Sequence, residues 1–295
     1  MTCACACLFA VLHAHVVVAP QPGQSVLSVA HSHNDYEQSR PLALALEAGF
    51  ESVEADVLLR GREVVVSHGF FDFADRGSLD DLYLKPLQER VDRLGSVHGD
   101  GRPFYLWIDL KESSRELTDA LHALLMRYPM FSVFTDERVY PRPVVAILTG
   151  DEDAKRRYTD EHVLRRACRD SNRFDANDPG ADRRWTWYAL RWDELTRGSS
   201  FTEEEGLHDV EHDLRRKVER VHATGRRLRV YAMPERAEAW EAAIAAGVDL
   251  VGTDRIETFA AFLRARAVRV ASPAAPSTPD RAAIAGLNGG NLRVR

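Results

Sequence analysis

The stretch Val53-Glu-Ala-Asp-Val57 decides the fold, together with Val64-Val-Val-Ser-His68 after it and His31-Ser-His-Asn-Asp-Tyr36 before it. In each of them, ionisable side chains lie within or directly after a short apolar run. Such runs are typical of buried parallel strands. Ionisable residues at the ends of parallel strands are typical of the active site of a barrel or an open α/β sheet. The sequence therefore predicts an enzyme.

Length and composition limit the class of protein. The chain has 295 residues, of which 45% are hydrophobic and 28% are charged, as in an ordinary globular protein. A single α/β barrel needs roughly 250 residues, so one barrel fits once both ends of the chain are set aside. The formal net charge of −6 argues against a general nucleic-acid binder. Arginine is abundant but is interleaved with Asp and Glu, which is typical of a solvated surface.

Both ends of the chain differ from the middle. Residues 1–22 contain an apolar run with the length of a signal-peptide core, too short for a membrane span. This run predicts an export signal, and hence a secreted or periplasmic protein; a disordered leader on a cytoplasmic protein is the alternative. Residues 269–295 are rich in Ala, Pro, Ser and Gly and predict a flexible tail. Three of the four cysteines lie in the leader, so no disulfide framework is expected.

Apolar strand-like runs alternate with helical patterns through residues 23–268. The predicted strands are Val26–Ala30, Ser52–Leu59, Val64–Ser67, Phe104–Leu110, Val144–Leu148, Leu228–Met233 and Leu250–Thr253. Residues 151–184 show no clear pattern except a short strand near Ala167–Asp170, and Trp185–Trp192 is either a strand or an aromatic loop. Repeated β–α units without a glycine-rich dinucleotide turn favour a closed barrel. We therefore predict an α/β protein with a single-domain (β/α)8 TIM-type barrel.

Two carboxylates share one face of the second strand. Alternation places Glu54 and Asp56 on one side of it and Val53, Ala55 and Val57 on the other. Adjacent carboxylates in a barrel mouth repel each other and are costly to desolvate. A hard divalent cation, Mg²⁺ or Ca²⁺, is the usual compensation because it prefers oxygen ligands. The alternative is a pair of surface carboxylates on an edge strand.

A third acid closes the run Phe104–Leu110. Asp109 lies near the end of this strand, and Lys111 shares its face by alternation. A lysine beside a carboxylate-bound cation suits a phosphate group, because both positive charges would face the same anion. The alternative is a structural Asp–Lys ion pair that caps the barrel.

Histidines supply candidates for acid–base chemistry. His31, His33 and His68 all lie near strand ends, and an unperturbed histidine exchanges protons near neutral pH. A lone histidine at a strand end is more often structural. Three of them near two acids favour catalysis.

Together these motifs resemble the phospholipase C-like phosphodiesterase superfamily. The pattern consists of Ala30–Tyr36, Val53–Val57, His68, Ile108–Lys111 and the ending Ala246–Asp254. Within that superfamily the chain is similar to a branch of glycerophosphodiester phosphodiesterase-like proteins that begin with a His-x-His-Asn-Asp-Tyr signature. The resemblance spans about residues 26–265 and implies a (β/α)8 barrel.

The resemblance also implies site roles. His31 matches the first catalytic histidine and His68 the second, and His33 takes the first role if the loop register differs. Glu54, Asp56 and Asp109 match the ligands of a divalent cation, Mg²⁺ or Ca²⁺. Lys111 matches a phosphate-contacting lysine, and Asn34 is predicted to bind the substrate beside it.

The implied activity is that of a phosphoric diester hydrolase. The metal and Lys111 would neutralise the phosphoryl oxygens, while one histidine deprotonates a hydroxyl and the other protonates the leaving alcohol. The expected partner is a small-molecule or lipid-derived phosphodiester of lipid metabolism, with no nucleic acid and no stable membrane span. One departure is notable, because the usual His-Arg-Gly reads His31-Ser-His33 and lacks its phosphate-binding arginine.

Two other functions compete with this one. An amidohydrolase-like metal hydrolase would use His31 and His33 as metal ligands and Asp254 as a last-strand acid. Such a site needs further histidines at later strand ends, whereas the remaining histidines lie mostly in helical or charged stretches. The third function is a barrel that binds a phosphorylated or sugar ligand without turnover.

Overall fold

A computed structural model describes residues 26–69, 71, 76–196 and 206–271. The predicted leader, residues 1–22, lies outside the described residues. So does the predicted tail beyond Ala271, and the domain limits 23 and 268 stay predictions.

The strands form a barrel. The described strands are β1 (Ala30–Ser32), β2 (Ser52–Arg60), β3 (Glu63–Val66), β4 (Phe104–Leu110), β5 (Val133–Phe134), β6 (Val139–Tyr140), β7 (Val144–Gly150), β8 (Ala167–Arg169), β9 (Trp187–Arg191), β10 (Arg227–Tyr231) and β11 (Leu250–Thr253). Eight of them are parallel neighbours in the order β8-β7-β4-β2-β1-β11-β10-β9. Backbone bonds from Arg169 N to Arg184 O (2.7 Å) and from Ser171 N to Trp187 O (3.1 Å) join β8 to β9. The predicted (β/α)8 TIM-type barrel is confirmed.

Helices follow most barrel strands and pack outside them. They are α1 (Ala43–Ala48), α2 (Lys85–Leu94), α3 (Arg115–Met126), α4 (Glu152–Glu161), α5 (Trp192–Leu195), α6 (Gly206–Ala223), α7 (Ala237–Ala245) and α8 (Ile256–Ala271). The main hydrophobic core lies between their apolar faces and the strands. No helix in the described part of the chain combines the length and the apolar character that a membrane span needs.

A second, smaller cluster fills the barrel. Its buried members are Trp107, Phe134, Ile147, Cys168, Trp187, Ala189 and Leu250. Alternation along each strand sends these side chains inward, while their sequence neighbours join the outer core. Two residues beyond Trp107 on β4, Asp109 then points into the carboxyl-terminal mouth.

Two of the strand predictions agree with the structure residue for residue. Phe104–Leu110 and Leu250–Thr253 coincide with β4 and β11. The predicted strand Val64–Ser67 is present one residue earlier as β3, which pairs antiparallel with β2 across the turn at Gly61. The first strand is shorter and later than Val26–Ala30, since β1 covers only Ala30–Ser32.

The sequence analysis missed helix α4 and the hairpin β5–β6. The buried face of α4 consists of Ala154, Lys155, Tyr158 and Thr159, so half of it is polar and the hydrophobic periodicity is hidden. Lys155 is fully buried because its ammonium group lies 2.6 Å from the Asp170 carboxylate. Asp151 caps the helix by accepting a bond from Ala154 N at 2.8 Å.

Candidate active site

Three carboxylates converge at the carboxyl-terminal mouth. Glu54 and Asp56 lie on β2, and Asp109 lies on β4, where it is the parallel partner of Asp56. One oxygen from each of them lies within 4.8 Å of the others. The shared inward face predicted from alternation therefore exists, and the alternative of surface carboxylates on an edge strand is wrong because Glu54 and Asp56 are buried.

Lys111 joins two of these acids. Its Nζ donates to Asp109 Oδ2 and lies 2.9 Å from both that atom and Asp56 Oδ2. Although burial opposes its charge, the carboxylates of Asp109 and Asp56 raise the pKa of Lys111. Burial, followed by the charges of Asp109 and Glu54, raises the pKa of Asp56 to about 6. One lysine therefore balances only part of the negative charge of the three acids.

The donor set fits a hard divalent cation. Asp56 Oδ1 and Asp109 Oδ1 are both buried and have no hydrogen-bond partner among the described residues. Buried carboxylate oxygens without partners are costly unless a cation or water satisfies them. All the donors are oxygens, which Mg²⁺ and Ca²⁺ prefer. Glu54, Asp56 and Asp109 are therefore the residues that could hold such an ion.

Gly150 brings β7 close to Asp109. At this position φ is +88°, and a Cβ atom would lie 2.1 Å from Asp109 Oδ1 and 2.6 Å from Leu110 O. Only glycine fits a left-handed backbone in such close contact. The end of β7 thus limits where the Asp109 carboxylate can point.

His68 and Tyr36 flank Asp56. The His68 side chain is 61% exposed, and its Nδ1 lies 2.9 Å from Asp56 Oδ2. The Tyr36 hydroxyl donates to the same oxygen at 2.7 Å and lies 2.9 Å from His68 Nδ1. His68 is therefore held at the mouth by a carboxylate while much of its ring faces solvent. The role of Tyr36 was missed, although the residue ends the quoted His31–Tyr36 stretch.

His33 contacts a different acid of the cluster, Glu54. Its Nδ1 lies 2.8 Å from Asp254 Oδ1, and its Nε2 lies 3.7 Å from Glu54 Oε2. The ring stacks on Tyr231 and its side chain is 23% exposed. Although burial opposes protonation, the carboxylates of Glu54 and Asp254 raise the pKa of His33.

His31 lies deeper than His33. It is fully buried, its Nδ1 lies 2.7 Å from Ser52 Oγ, and its Nε2 lies 3.8 Å from Glu54 Oε2. Burial, and then the charge of Arg229, lowers the pKa of His31 to about 3. The tertiary structure therefore separates two histidines that the sequence could not tell apart.

Asn34 contacts the site mainly through its backbone. Its φ of 45° and ψ of 43° are left-handed, a conformation that asparagine tolerates better than most residues. Its N–H donates to Glu54 Oε2 at 3.4 Å, while its side-chain oxygen accepts from the Tyr36 hydroxyl at 3.3 Å. The predicted contact of Asn34 with substrate stays a prediction.

Arg229 is the principal residue that the sequence analysis missed. It lies on β10, is 2% exposed, and donates from Nη2 to Glu54 at 2.7 Å. Burial would raise the pKa of Glu54, but the charge of Arg229 holds it well below its usual value. The available signal was the alternation Arg227, Arg229, Tyr231, which gives one face of a strand three polar side chains.

The histidine-ligand site of the amidohydrolase alternative is not formed. Within the described ranges, the group of converging ligand atoms consists of Glu54, Asp56 and Asp109 and includes no histidine. Asp254, the last-strand acid of that alternative, pairs with His33 instead.

Comparisons with known proteins agree with the motifs. Residues 24–166, which contain all three carboxylates, Lys111 and the three histidines, match the model of the AIM6-like phosphodiesterase domain. Altered inheritance of mitochondria protein 6 of Eremothecium gossypii is 29% identical over 82% of this chain and 73% of its own length. Its homolog from Arthroderma benhamiae is 31% identical over 41% of this chain. That alignment spans 46% of the Arthroderma protein, less than half of its length.

A solved structure has a similar fold. The crystal structure of a glycerophosphodiester phosphodiesterase from Parabacteroides distasonis superposes with a TM-score of 0.51, covering 82% of this chain and 98% of that one. Its sequence identity of 16% makes this a likeness of fold. Residues 24–166 are thus similar in sequence to the AIM6-like phosphodiesterase domain, and the fold is similar to that of a glycerophosphodiester phosphodiesterase, which agrees with the resemblance drawn from the motifs.

Proposed function

We propose that this chain is a metal-dependent phosphodiesterase that cleaves a phosphodiester of the glycerophosphodiester or phospholipid-headgroup type. One observation carries the proposal: two partly exposed histidines, His33 and His68, contact different members of one cluster of three carboxylates that also holds Lys111. Each histidine is held through Nδ1 by a separate carboxylate, Asp254 or Asp56. Two oriented proton carriers that border a cation site suit a displacement at phosphorus.

The metal would be held by Glu54, Asp56 and Asp109. When bound, a divalent cation supplies Lewis-acid stabilisation of the charge on the phosphoryl oxygens. Because the donors are oxygens, we propose Mg²⁺ or Ca²⁺. Lys111, held between Asp56 and Asp109, adds a second positive charge toward the same anion.

His33 and His68 move the protons in this proposal. One accepts the proton of the attacking hydroxyl as its oxygen bonds to phosphorus. The other donates a proton to the leaving alkoxide as the second phosphorus–oxygen bond breaks. His31 is fully buried against Ser52 and is assigned a supporting role beneath Glu54. The choice of His33 rather than His31 rests on its access to the mouth.

The test is a phosphodiesterase assay with matched histidine variants. Purified protein would be assayed with bis(p-nitrophenyl) phosphate and a set of glycerophosphodiesters, with and without EDTA. We expect EDTA to abolish cleavage, and His33→Ala and His68→Ala each to lower kcat about 10²–10⁴-fold. His222→Ala, at the opposite end of the barrel, serves as the control and is expected to keep normal kcat.

Several results would decide against the proposal. Full activity in both His33→Ala and His68→Ala removes the two-histidine mechanism. If His31→Ala folds and loses more of its kcat than His33→Ala does, the first proton carrier is His31. Tight binding of phosphodiesters without turnover would favour the non-catalytic barrel. Product analysis identifies the nucleophile. Attack by a hydroxyl group of the substrate gives a cyclic phosphate, whereas attack by water gives a phosphomonoester.

A further inference from the structure

Arg229 crosses the interior of the barrel to reach a predicted metal ligand. It lies on β10, and its Nη2 is 2.7 Å from both Oε1 and Oε2 of Glu54 on β2. Its guanidinium group stands over the rings of Trp107 and Tyr231, at 4.7 and 5.6 Å from their centroids. An arginine packed between two aromatic rings and bonded to a carboxylate has little freedom to move. The Glu54 carboxylate is correspondingly held in place.

The hydrogen bonds of Arg229 are incomplete. A guanidinium has five N–H donors, and buried donors normally find acceptors. Nε and Nη1 of Arg229 are both buried, yet neither has a hydrogen-bond partner in the described part of the chain. A role that is only structural would leave these donors unsatisfied at a substantial cost. The pair with Glu54 therefore calls for an explanation beyond stability.

The charges of the site explain why Arg229 pairs with Glu54. Glu54, Asp56 and Asp109 contribute three negative charges, and Lys111 and Arg229, which contact them directly, contribute two positive ones. The sum is one negative charge, so a divalent cation leaves the site with one positive charge. A phosphodiester carries one negative charge and complements it. With a neutral residue in place of Arg229, the metal-loaded site would have no net charge to attract this anion.

We propose that Arg229 is a positioning residue that sets the charge of the metal site. It fixes Glu54 and competes with the divalent cation for its carboxylate, so the cation binds less tightly but the loaded site attracts a monoanionic phosphodiester. This inference rests on the proposed function, because it takes Glu54, Asp56 and Asp109 as the ligands of the cation. It also supplies, from β10, a positive charge in a site that lacks the arginine of the His-Arg-Gly pattern.

The test compares variants that remove the charge with one that keeps it. EDTA-stripped protein would be titrated calorimetrically with Mg²⁺ and with Ca²⁺. We expect Arg229→Met and Arg229→Gln to bind the cation about tenfold more tightly, because a competing positive charge has been removed next to a ligand. Arg229→Lys keeps the charge and is expected to stay within about threefold of the natural protein. Arg227→Met, two residues away on the same face of β10, is the control and should bind normally.

Catalysis supplies a second readout with the opposite sign. The same neutral variants, loaded with saturating Mg²⁺, are expected to raise KM for bis(p-nitrophenyl) phosphate about tenfold with a smaller change in kcat. A residue with a merely structural role would weaken cation and substrate binding together. Folded Arg229→Met or Arg229→Gln with unchanged or weakened cation affinity would overturn the proposal.

Two further comparisons keep the result interpretable. If neither neutral variant folds, Glu54→Gln/Arg229→Gln, which leaves no buried charge unpaired, is compared with Glu54→Gln alone. The double variant is expected to bind the cation more tightly, because the positive charge of Arg229 is removed although the competition for the Glu54 carboxylate is absent from both proteins. The absence of tightening refutes the role of the charge. The cation titration needs no turnover. If the natural protein binds Mg²⁺ and the neutral variants tighten it, but no phosphodiester is cleaved, the proposed function fails while the role of Arg229 stands. If phosphodiesters are cleaved and the variants do not tighten cation binding, only the role of Arg229 fails.

Discussion

The two ends of the barrel use charge in opposite ways. At the amino-terminal end, the carboxylate of Asp249 accepts a bond from Leu228 N at 2.8 Å and lies 2.8 Å from His222 Nε2 and 3.2 Å from Arg227 Nε. At the carboxyl-terminal mouth, Asp56 and Asp109 share Lys111, and each keeps a buried Oδ1 atom that has no hydrogen-bond partner among the described residues. The polar groups around Asp249 stabilise the fold, whereas those at the carboxyl-terminal mouth are available to bind a ligand.

Strand β10 contains both arrangements. Arg227, near its start, pairs with Asp249 and donates to the Tyr105 hydroxyl at 2.7 Å. Arg229, two residues further, pairs with Glu54 and keeps two buried donors that have no hydrogen-bond partner within the described ranges. A buried polar group without a hydrogen-bond partner lowers the stability of the folded protein. Sites that retain such groups are typically functional. The contrast predicts that variants at the mouth change binding and catalysis, whereas variants at the other end change stability.

The largest effect is expected from Asp109→Asn. This variant removes one charge from the carboxylate cluster while keeping the shape of the side chain. We expect Mg²⁺ affinity to fall at least about 100-fold, because the cation loses an anionic oxygen ligand. Phosphodiester cleavage should fall at least as far. Calorimetric titration and the bis(p-nitrophenyl) phosphate assay measure the two effects.

The matched control is Asp249→Asn at the amino-terminal end. It is expected to lower the free energy of unfolding by about 1–3 kcal/mol, because His222 and Arg227 lose a charged acceptor. Its Mg²⁺ affinity and kcat should match those of the natural protein. Equal losses of Mg²⁺ affinity in Asp109→Asn and Asp249→Asn would refute the division between the two ends.

A smaller effect is expected from Gly150→Ala, which acts on Asp109 indirectly. The added Cβ would meet Asp109 Oδ1, so the carboxylate must turn away from the cluster. We expect Mg²⁺ affinity to fall about tenfold and stability to fall by about 1–3 kcal/mol, since alanine is also strained at positive φ. Gly61→Ala shares the positive φ, at +64°, but its Cβ meets nothing within 4 Å. If Gly61→Ala and Gly150→Ala weaken Mg²⁺ binding equally, the contact with Asp109 is irrelevant.

The smallest effect is a pH dependence at the amino-terminal end. The hydrogen bond to Asp249 raises the pKa of His222 above its usual value of 6.5. A raised pKa means that the folded protein holds the proton more tightly, so the stabilisation is complete below pH 6.5 and is lost as pH rises through the pKa of the folded state. Because His222 is partly exposed, solvent screening limits the effect to about 0.5 kcal/mol.

Urea unfolding of the natural protein and His222→Gln at pH 6 and pH 9 measures this effect. The difference in unfolding free energy between the two proteins should be larger at pH 6. A difference that is equal at both pH values, or larger at pH 9, would contradict the assigned pair.

The sequence by itself determined the barrel and most of the mouth. Apolar runs locate β4 and β11. Period-two alternation places Glu54 with Asp56, and Asp109 with Lys111, because side-chain direction along a strand is a local property. The motif resemblance is local as well, since its residues lie within short segments. Hydrophobic periodicity does not predict helix α4, because buried polar residues, Lys155 and Thr159, occupy positions that apolar residues usually fill.

Only the tertiary structure decided which neighbours these residues have. Glu54 and Arg229 are 175 positions apart in the chain, and Asp254 and His33 are 221 apart, so both pairs exist only because the strands close into a barrel. The difference between buried His31 and accessible His33 depends on the same closure, because depth below the mouth is set by surrounding strands and not by the two-residue spacing. Local pattern thus selects the chemistry, while barrel closure sets the charge balance and the access of each group.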